Sequence, residues 1–312
     1  MALCALAAFA ADDPTITLGD AKNGHSVPES LWGISLEGTD GAEVAGLRRE
    51  LVEMLAALKP AFLRYQPGCA EYGEDEISRL CAAIGTKPLT PQTDEGMVDE
   101  KYFYPPKWFL DAAHRYDGHE RTEKPKICIS GFACHDEDDD FANNLNSALC
   151  EAAAMTGLER NSDVVAMASY TPLLARYGRT KDQPALIWFD DTHCVATPSY
   201  YTQQLFSLNR PTRTIPATDN LAKNEKMFFY CAGLDETSGE TILKFVNLSD
   251  DERDATVNIS GKARLITLTG GCISDTNCPE KEAVRPVEST IEDFDGSITL
   301  PPYSLTILRL AK

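Results

Sequence analysis

Asn143-Asn-Leu-Asn-Ser-Ala-Leu-Cys-Glu-Ala-Ala-Ala-Met-Thr-Gly157-Leu-Glu-Arg-Asn-Ser-Asp163-Val-Val-Ala-Met-Ala168-Ser-Tyr170 is the stretch that decides the fold. Its first half carries apolar residues at helical spacing, which predicts a strongly amphipathic helix over 143–158 with Gly157 in the last turn. Its second half is a short apolar run bounded by Asp163, which predicts a buried strand over 164–168. The same rhythm runs through the preceding sequence. Strands are expected at 31–37, 61–65 and 126–130, and helices at 43–58, 75–84 and 108–116. Lys59-Pro60 stops the first of these helices and Gly85 closes the second. Strands alternating with helices imply a parallel α/β arrangement.

After about Pro216 the pattern changes. Residues 226–231, 241–246, 255–259, 263–268, 297–300 and 305–308 read as short strands punctuated by Gly, Asp, Asn and Pro, as in an antiparallel β-sandwich. The expected organisation is a leader at 1–11, a strand segment at 12–30 (Thr15–Leu18) that joins the sandwich, an α/β unit over 31–216 and the sandwich over 217–312.

The chain has 312 residues and a formal net charge of -19. That charge repels nucleic-acid phosphates and anionic lipid heads, and suits a neutral ligand. No apolar run is long enough to span a bilayer. Ala8-Phe9-Ala10 closes an apolar N-terminal stretch in the manner of a secretory leader, so an extracytoplasmic or secreted location is expected. Ten cysteines include no C-x-x-C pair. Most sit singly among apolar residues, as buried small hydrophobes do. Cys272 and Cys278 flank a short loop and are the one pair expected to form a disulfide if the chain is exported. The acidic run 136–140 has no Gly-spaced ligand pattern and reads as a solvated loop.

The stretch Glu151–Leu173 closely resembles the segment around the last helix and strand of the barrel in glycoside hydrolase family 51, the α-L-arabinofuranosidases. Pro184-Ala-Leu-Ile-Trp-Phe-Asp190, Trp108-Phe-Leu-Asp-Ala-Ala-His-Arg-Tyr-Asp117 and Pro301-Pro-Tyr-Ser-Leu-Thr-Ile-Leu-Arg309 extend the resemblance in the right order. Gly33-Ile-Ser-Leu-Glu-Gly38 and Leu58-Lys-Pro-Ala-Phe-Leu-Arg-Tyr65 resemble the first two barrel strands. The resemblance implies an α/β fold, here an incomplete (β/α)8 TIM-type barrel followed by a C-terminal antiparallel β-sandwich. It also implies arabinose-containing glycan as the partner, and neither a metal nor an organic cofactor.

Members of that family are retaining enzymes, which need two carboxyl groups about 5–5.5 Å apart. The resemblance aligns Gly131 with the family's nucleophile, and glycine has no group to attack with. From Leu89 the chain passes within a few residues to Val98, where the family has roughly three barrel strands and the Asn-Glu pair of its acid/base. The only Asn-Glu here is Asn224-Glu225, which reads as an exposed turn. No catalytic residue is therefore assigned. Glu37, Arg64, Cys69 and Tyr102 match the family's substrate-site positions and are the expected sugar contacts. Asp99 and Glu100, expected to end a strand, are the alternative carboxylates, with Glu37 as partner. Glu159 and Arg160 are expected to form a buried helix-to-loop network. The functional expectation is an arabinofuranosidase-related chain with impaired catalysis, with a non-catalytic arabinoglycan-binding protein as the alternative.

Overall fold

A computed structural model describes residues 13–36, 48–67, 73–91, 96–121, 125–135, 143–180, 184–223 and 225–311. The leader stretch and the acidic run 136–140 lie outside the described residues. In chain order the first elements are β1 (Thr15–Leu18), β2 (Trp32–Leu36), α1 (Arg49–Ala57), β3 (Leu63–Tyr65), α2 (Glu74–Ile84), β4 (Pro88–Leu89), β5 (Met97–Tyr104), α3 (Pro106–Ala112), β6 (Lys126–Cys134), α4 (Leu145–Arg160) and β7 (Val165–Tyr170). Gly85 takes φ 74° at the end of α2, a conformation a side chain disfavours, and so stops that helix as expected.

Six of these strands form one sheet in the order β4-β3-β2-β7-β6-β5, and every pairing is parallel. β2, the first strand of the sheet in sequence, lies beside β7, the last. That order is the one a barrel takes with part of its circumference left out. The sheet ends at β4 and β5, and no pairing joins those two strands among the described residues. An eight-stranded barrel would need two further strands. The expected gap of about three strands is therefore too large, because Pro88–Leu89 supplies a third strand next to β3.

Beyond β7 come β8 (Leu174–Arg176), β9 (Ile187–Phe189), β10 (Cys194–Ala196), α5 (Pro198–Leu208), β11 (Arg213–Thr214) and β12 (Ala217–Asp219). β8, β9 and β10 form a small sheet of their own. The C-terminal strands are β13 (Phe228–Asp235), β14 (Glu240–Asn247), β15 (Arg253–Val257), β16 (Gly261–Thr269), β17 (Asn277–Cys278), β18 (Lys281–Glu282), β19 (Arg285–Phe294), β20 (Ser297–Leu300) and β21 (Ser304–Leu310). Two sheets, β12-β1-β15-β20 and β11-β13-β14-β21-β16-β19, stack to make the sandwich. β1 pairs with β12 and β15, so the N-terminal strand closes a sheet more than 200 residues away. The ten-residue β19 escapes the sequence pattern because its Glu, Ser, Thr and Asp side chains are exposed along an edge strand.

The two sheets enclose Ile16, Leu18, Phe228, Leu243, Phe245, Leu300 and Leu308. The larger sheet is also buried on its other face. There Ile242, Val246, Ile266, Leu305 and Ile307 join the core of the α/β unit. α4 lies between the parallel sheet and the sandwich, and 14 of its residues are buried. The expected amphipathic pattern is therefore corrected: this helix is buried all round, as a helix packed on both sides must be. Gly157 explains how it fits. A Cβ there would come within 2.0 Å of the Ala113 carbonyl just past α3, so only glycine allows the approach.

Candidate functional site

Strand alternation sorts the side chains of the parallel sheet onto two faces. On the inner face, Phe62 lies over Gly33, where a Cβ would come within 2.3 Å of its ring, and packs with Cys128 and Met167. Above this layer Arg64 stands in register with Ser35. It is 7% exposed and reaches the Asp99 carboxylate at 4.0 Å. Ser35 and Ser130 are fully buried, and their hydroxyls have no partner among the described residues. Of the expected sugar contacts, Glu37 and Cys69 lie outside the described residues.

Tyr102 points the other way. Its hydroxyl bonds to Glu100 and to Tyr116, and its ring packs on Trp108 with centroids 4.6 Å apart. Glu100 accepts further hydrogen bonds from Arg115 and Tyr116, each at 3.1 Å. Burial, with Tyr116 and Glu100 beside it, pushes the Tyr102 phenol far above its ordinary range. Arg64 and Tyr102 are therefore on opposite faces of the sheet.

Asp99 and Glu100 do not end a strand, which corrects that expectation. β5 runs from Met97 to Tyr104, because Tyr102, Phe103 and Tyr104 continue the pairing with β6 through Phe132, Ala133 and Cys134. Successive residues face opposite sides, so Asp99 joins Arg64 while Glu100 joins the helix layer. Gly131 lies inside β6, opposite Lys101, and β6 continues three residues further to Cys134. Ser130 stands at an irregularity in the pairing with β5. Glu225 caps the Lys226 and Met227 amides at 2.9 and 2.7 Å and faces Arg253 at 3.5 Å, a turn-holding role.

Glu151 is a functional-type residue that the pattern reading passed over. It is a carboxylate set among apolar neighbours in the middle of α4. It is fully buried beneath the C-terminal ends of β6 and β7. Oε1 accepts the Cys134 amide at 2.9 Å and the Tyr170 hydroxyl at 3.3 Å, while Oε2 has no partner. Burial raises its pKa to about 7. The signal available in sequence was one charge among Ala, Leu, Cys and Met.

Glu159 and Arg160 form the expected network: Arg160 holds the turn after α3, and the network also reaches the sandwich. Lys244 of β14, with no exposure, forms an ion pair with Glu159, and the Cys231 thiol donates to the same oxygen at 3.3 Å. Arg160 bonds to Asp117, to the Ala113 carbonyl at 2.9 Å and to the Tyr230 carbonyl at 3.2 Å. These contacts tie the α/β unit to the sandwich. Cys272 and Cys278 are both free and exposed, so the expected disulfide is absent. Asp275 folds the intervening loop by accepting the Gly271 and Cys272 amides at 2.7 and 3.0 Å, and Cys272 Sγ lies 3.2 Å from the Ser274 hydroxyl. Among the described residues no group of three metal-binding side chains is assembled, and no helix is long and apolar enough to cross a membrane.

A parallel α/β sheet joined to a β-sandwich through a buried helix is an architecture found in glycoside hydrolases. Residues 119–304 match the alpha-L-arabinofuranosidase C-terminal domain, and the chain belongs to that family. It is 39% identical over 129 residues to the extracellular exo-alpha-L-arabinofuranosidase of Streptomyces chartreusis, covering 41% of this chain and 15% of that one. It is 27% identical over 317 residues to alpha-L-arabinofuranosidase 2 of Arabidopsis thaliana, covering 97% of this chain and 44% of that one. The chain therefore spans less than half the length of these two relatives. An arabinose-bound GH51 α-L-arabinofuranosidase superposes with a TM-score of 0.61 at 27% identity, over 75% of this chain and 41% of that one. The GH51 arabinofuranosidase of Xanthomonas axonopodis pv. citri shares the fold, with a TM-score of 0.74 at 13% identity over 96% of this chain and 99% of that one.

Proposed function

We propose that this chain is an arabinofuranosidase-related protein of arabinose-containing polysaccharide breakdown whose own residues do not support hydrolysis. The observation that carries this reading is Gly131 within β6. The family resemblance puts the nucleophile there, and the backbone offers no carboxylate for a glycosyl ester. On the inner face the nearest described carboxylate is Asp99, one strand away, and Arg64 faces it. The family's partner, an arabinose-containing glycan, comes to this chain by the same resemblance. Arg64, Ser35 and Ser130 on the inner face are the groups that would meet it, and the resemblance adds Glu37 and Cys69. Tyr102 faces the helix layer and instead holds Glu100. The kinship with an extracellular Streptomyces enzyme supports a secreted location.

The test is hydrolysis of an aryl α-L-arabinofuranoside by the purified chain. No turnover above background is expected, and Gly131→Glu alone does not restore it, because catalytic groups act as a unit. Clear turnover that Asp99→Asn abolishes would overturn the reading and assign Asp99 a catalytic role.

A further inference from the structure

A second recess lies at the opposite end of the parallel strands from their C-terminal edge. Asp117 precedes β6 and Arg160 precedes β7, so both stand at the N-terminal ends of those strands. Together with Asp219, Lys223 and Tyr230 of the sandwich side, they line a cavity of about 520 Å³. An adjoining cavity of about 350 Å³ shares Asp117, Arg160 and Tyr230 and continues past Asn23 and Asn161.

We propose that this seam is a binding site for a neutral oligosaccharide, separate from the inner face of the parallel sheet. The charge pattern selects the ligand class. Asp117, Asp219 and Glu225 face the first cavity with Arg160 and Lys223, so the two signs nearly balance. A charged ligand meets repulsion from one set or the other. A polyol meets acceptors and donors together and suffers neither. The larger cavity elsewhere, about 750 Å³, contrasts with this: Glu50, Glu53, Glu280 and Glu282 face it with Lys281 as the one lysine.

The walls are also fixed in advance. Asp117 accepts from Arg160 at 2.8 Å and Asn161 at 2.7 Å and lies 2.7 Å from His114 Nδ1. Asp219 accepts the Tyr230 hydroxyl at 2.6 Å and the Leu221 amide at 2.9 Å, which sets the rim. Preorganised walls lose little entropy on binding. Donor capacity remains: Lys223 forms no ion pair and His114 Nε2 makes no hydrogen bond among the described residues. Tyr230 is half-buried and adds an aromatic surface of the kind that covers the apolar face of a sugar ring.

Isothermal titration of the whole chain with arabinotriose and with xylotriose tests this. Saturable binding of at least one is expected, and the comparison shows which glycan supplies the ligand. Lys223→Ala and His114→Ala, both at exposed side chains, should each weaken binding about fivefold, the loss of one hydrogen bond. Lys281→Ala, in the larger cavity elsewhere, should leave that binding unchanged. No heat with either sugar, or binding that neither Lys223→Ala nor His114→Ala weakens, would overturn the proposal. The seam stands or falls without reference to hydrolysis, so failure here is distinct from failure of the arabinofuranosidase-related reading.

Discussion

Glu151→Gln is the substitution whose effect the structure specifies most fully. The carboxyl is buried with one oxygen unpartnered, and burial raises its pKa from 4.5 to about 7. The folded state thus holds this proton more tightly than the unfolded chain does. Its contribution is fully present below about pH 4.5. It is lost progressively as pH rises, and the loss is complete above about pH 7. At about 1.4 kcal/mol for each tenfold change in the equilibrium, the whole loss is about 3 kcal/mol. Glutamine keeps the shape, cannot ionise, and retains an amide to pair with the Ser199 hydroxyl beside it. Urea unfolding at pH 5, 7 and 8.5 reads the effect as the difference between the two midpoints at constant slope. The variant should be within about 1 kcal/mol of the parent at pH 5 and more stable by about 1–3 kcal/mol at pH 8.5. His25, which burial pushes below its ordinary value, contributes with the opposite sign, is common to both proteins, and cancels in the comparison. A difference between parent and variant that stays constant across this range would refute the argument. It would mean that the carboxylate is ionised in the fold throughout.

Other perturbations have equally direct readouts. Lys244→Met strands the buried Glu159 charge and should cost about 3–5 kcal/mol in denaturant unfolding, most of it recovered when Glu159→Gln is added. Gly157→Ala gains about 1 kcal/mol of helix propensity but forces a methyl against the Ala113 carbonyl, so thermal unfolding should show a net loss of about 1–3 kcal/mol. Cys272 and Cys278 should both react with a thiol reagent in the native, non-reduced protein. Protection of both, with mass spectrometry showing a bond between them, would reinstate the disulfide.

Sequence alone determined the alternation of the first 170 residues, the switch to short strands after Pro216 and the kinship with arabinofuranosidases. These features are local. Periodicity marks an element, Gly85 marks a helix end through its positive φ, and shared segments mark a family wherever the chain goes. The absence of a carboxylate at residue 131 is likewise a fact of the sequence. What only the tertiary structure decided are the partnerships. Residues 143–158 carry an apolar pattern, yet whether one face or all faces are buried depends on whether the sandwich covers the second side. Lys244 in an apolar strand is unremarkable until Glu159 faces it across that interface. Asp99 and Glu100 are neighbours in sequence, but the pleat sends one to Arg64 and the other to Tyr102 and Tyr116. The pKa of Glu151 is likewise set by packing, because the helix, two strand ends and α5 together exclude the water that would keep an ordinary glutamate ionised.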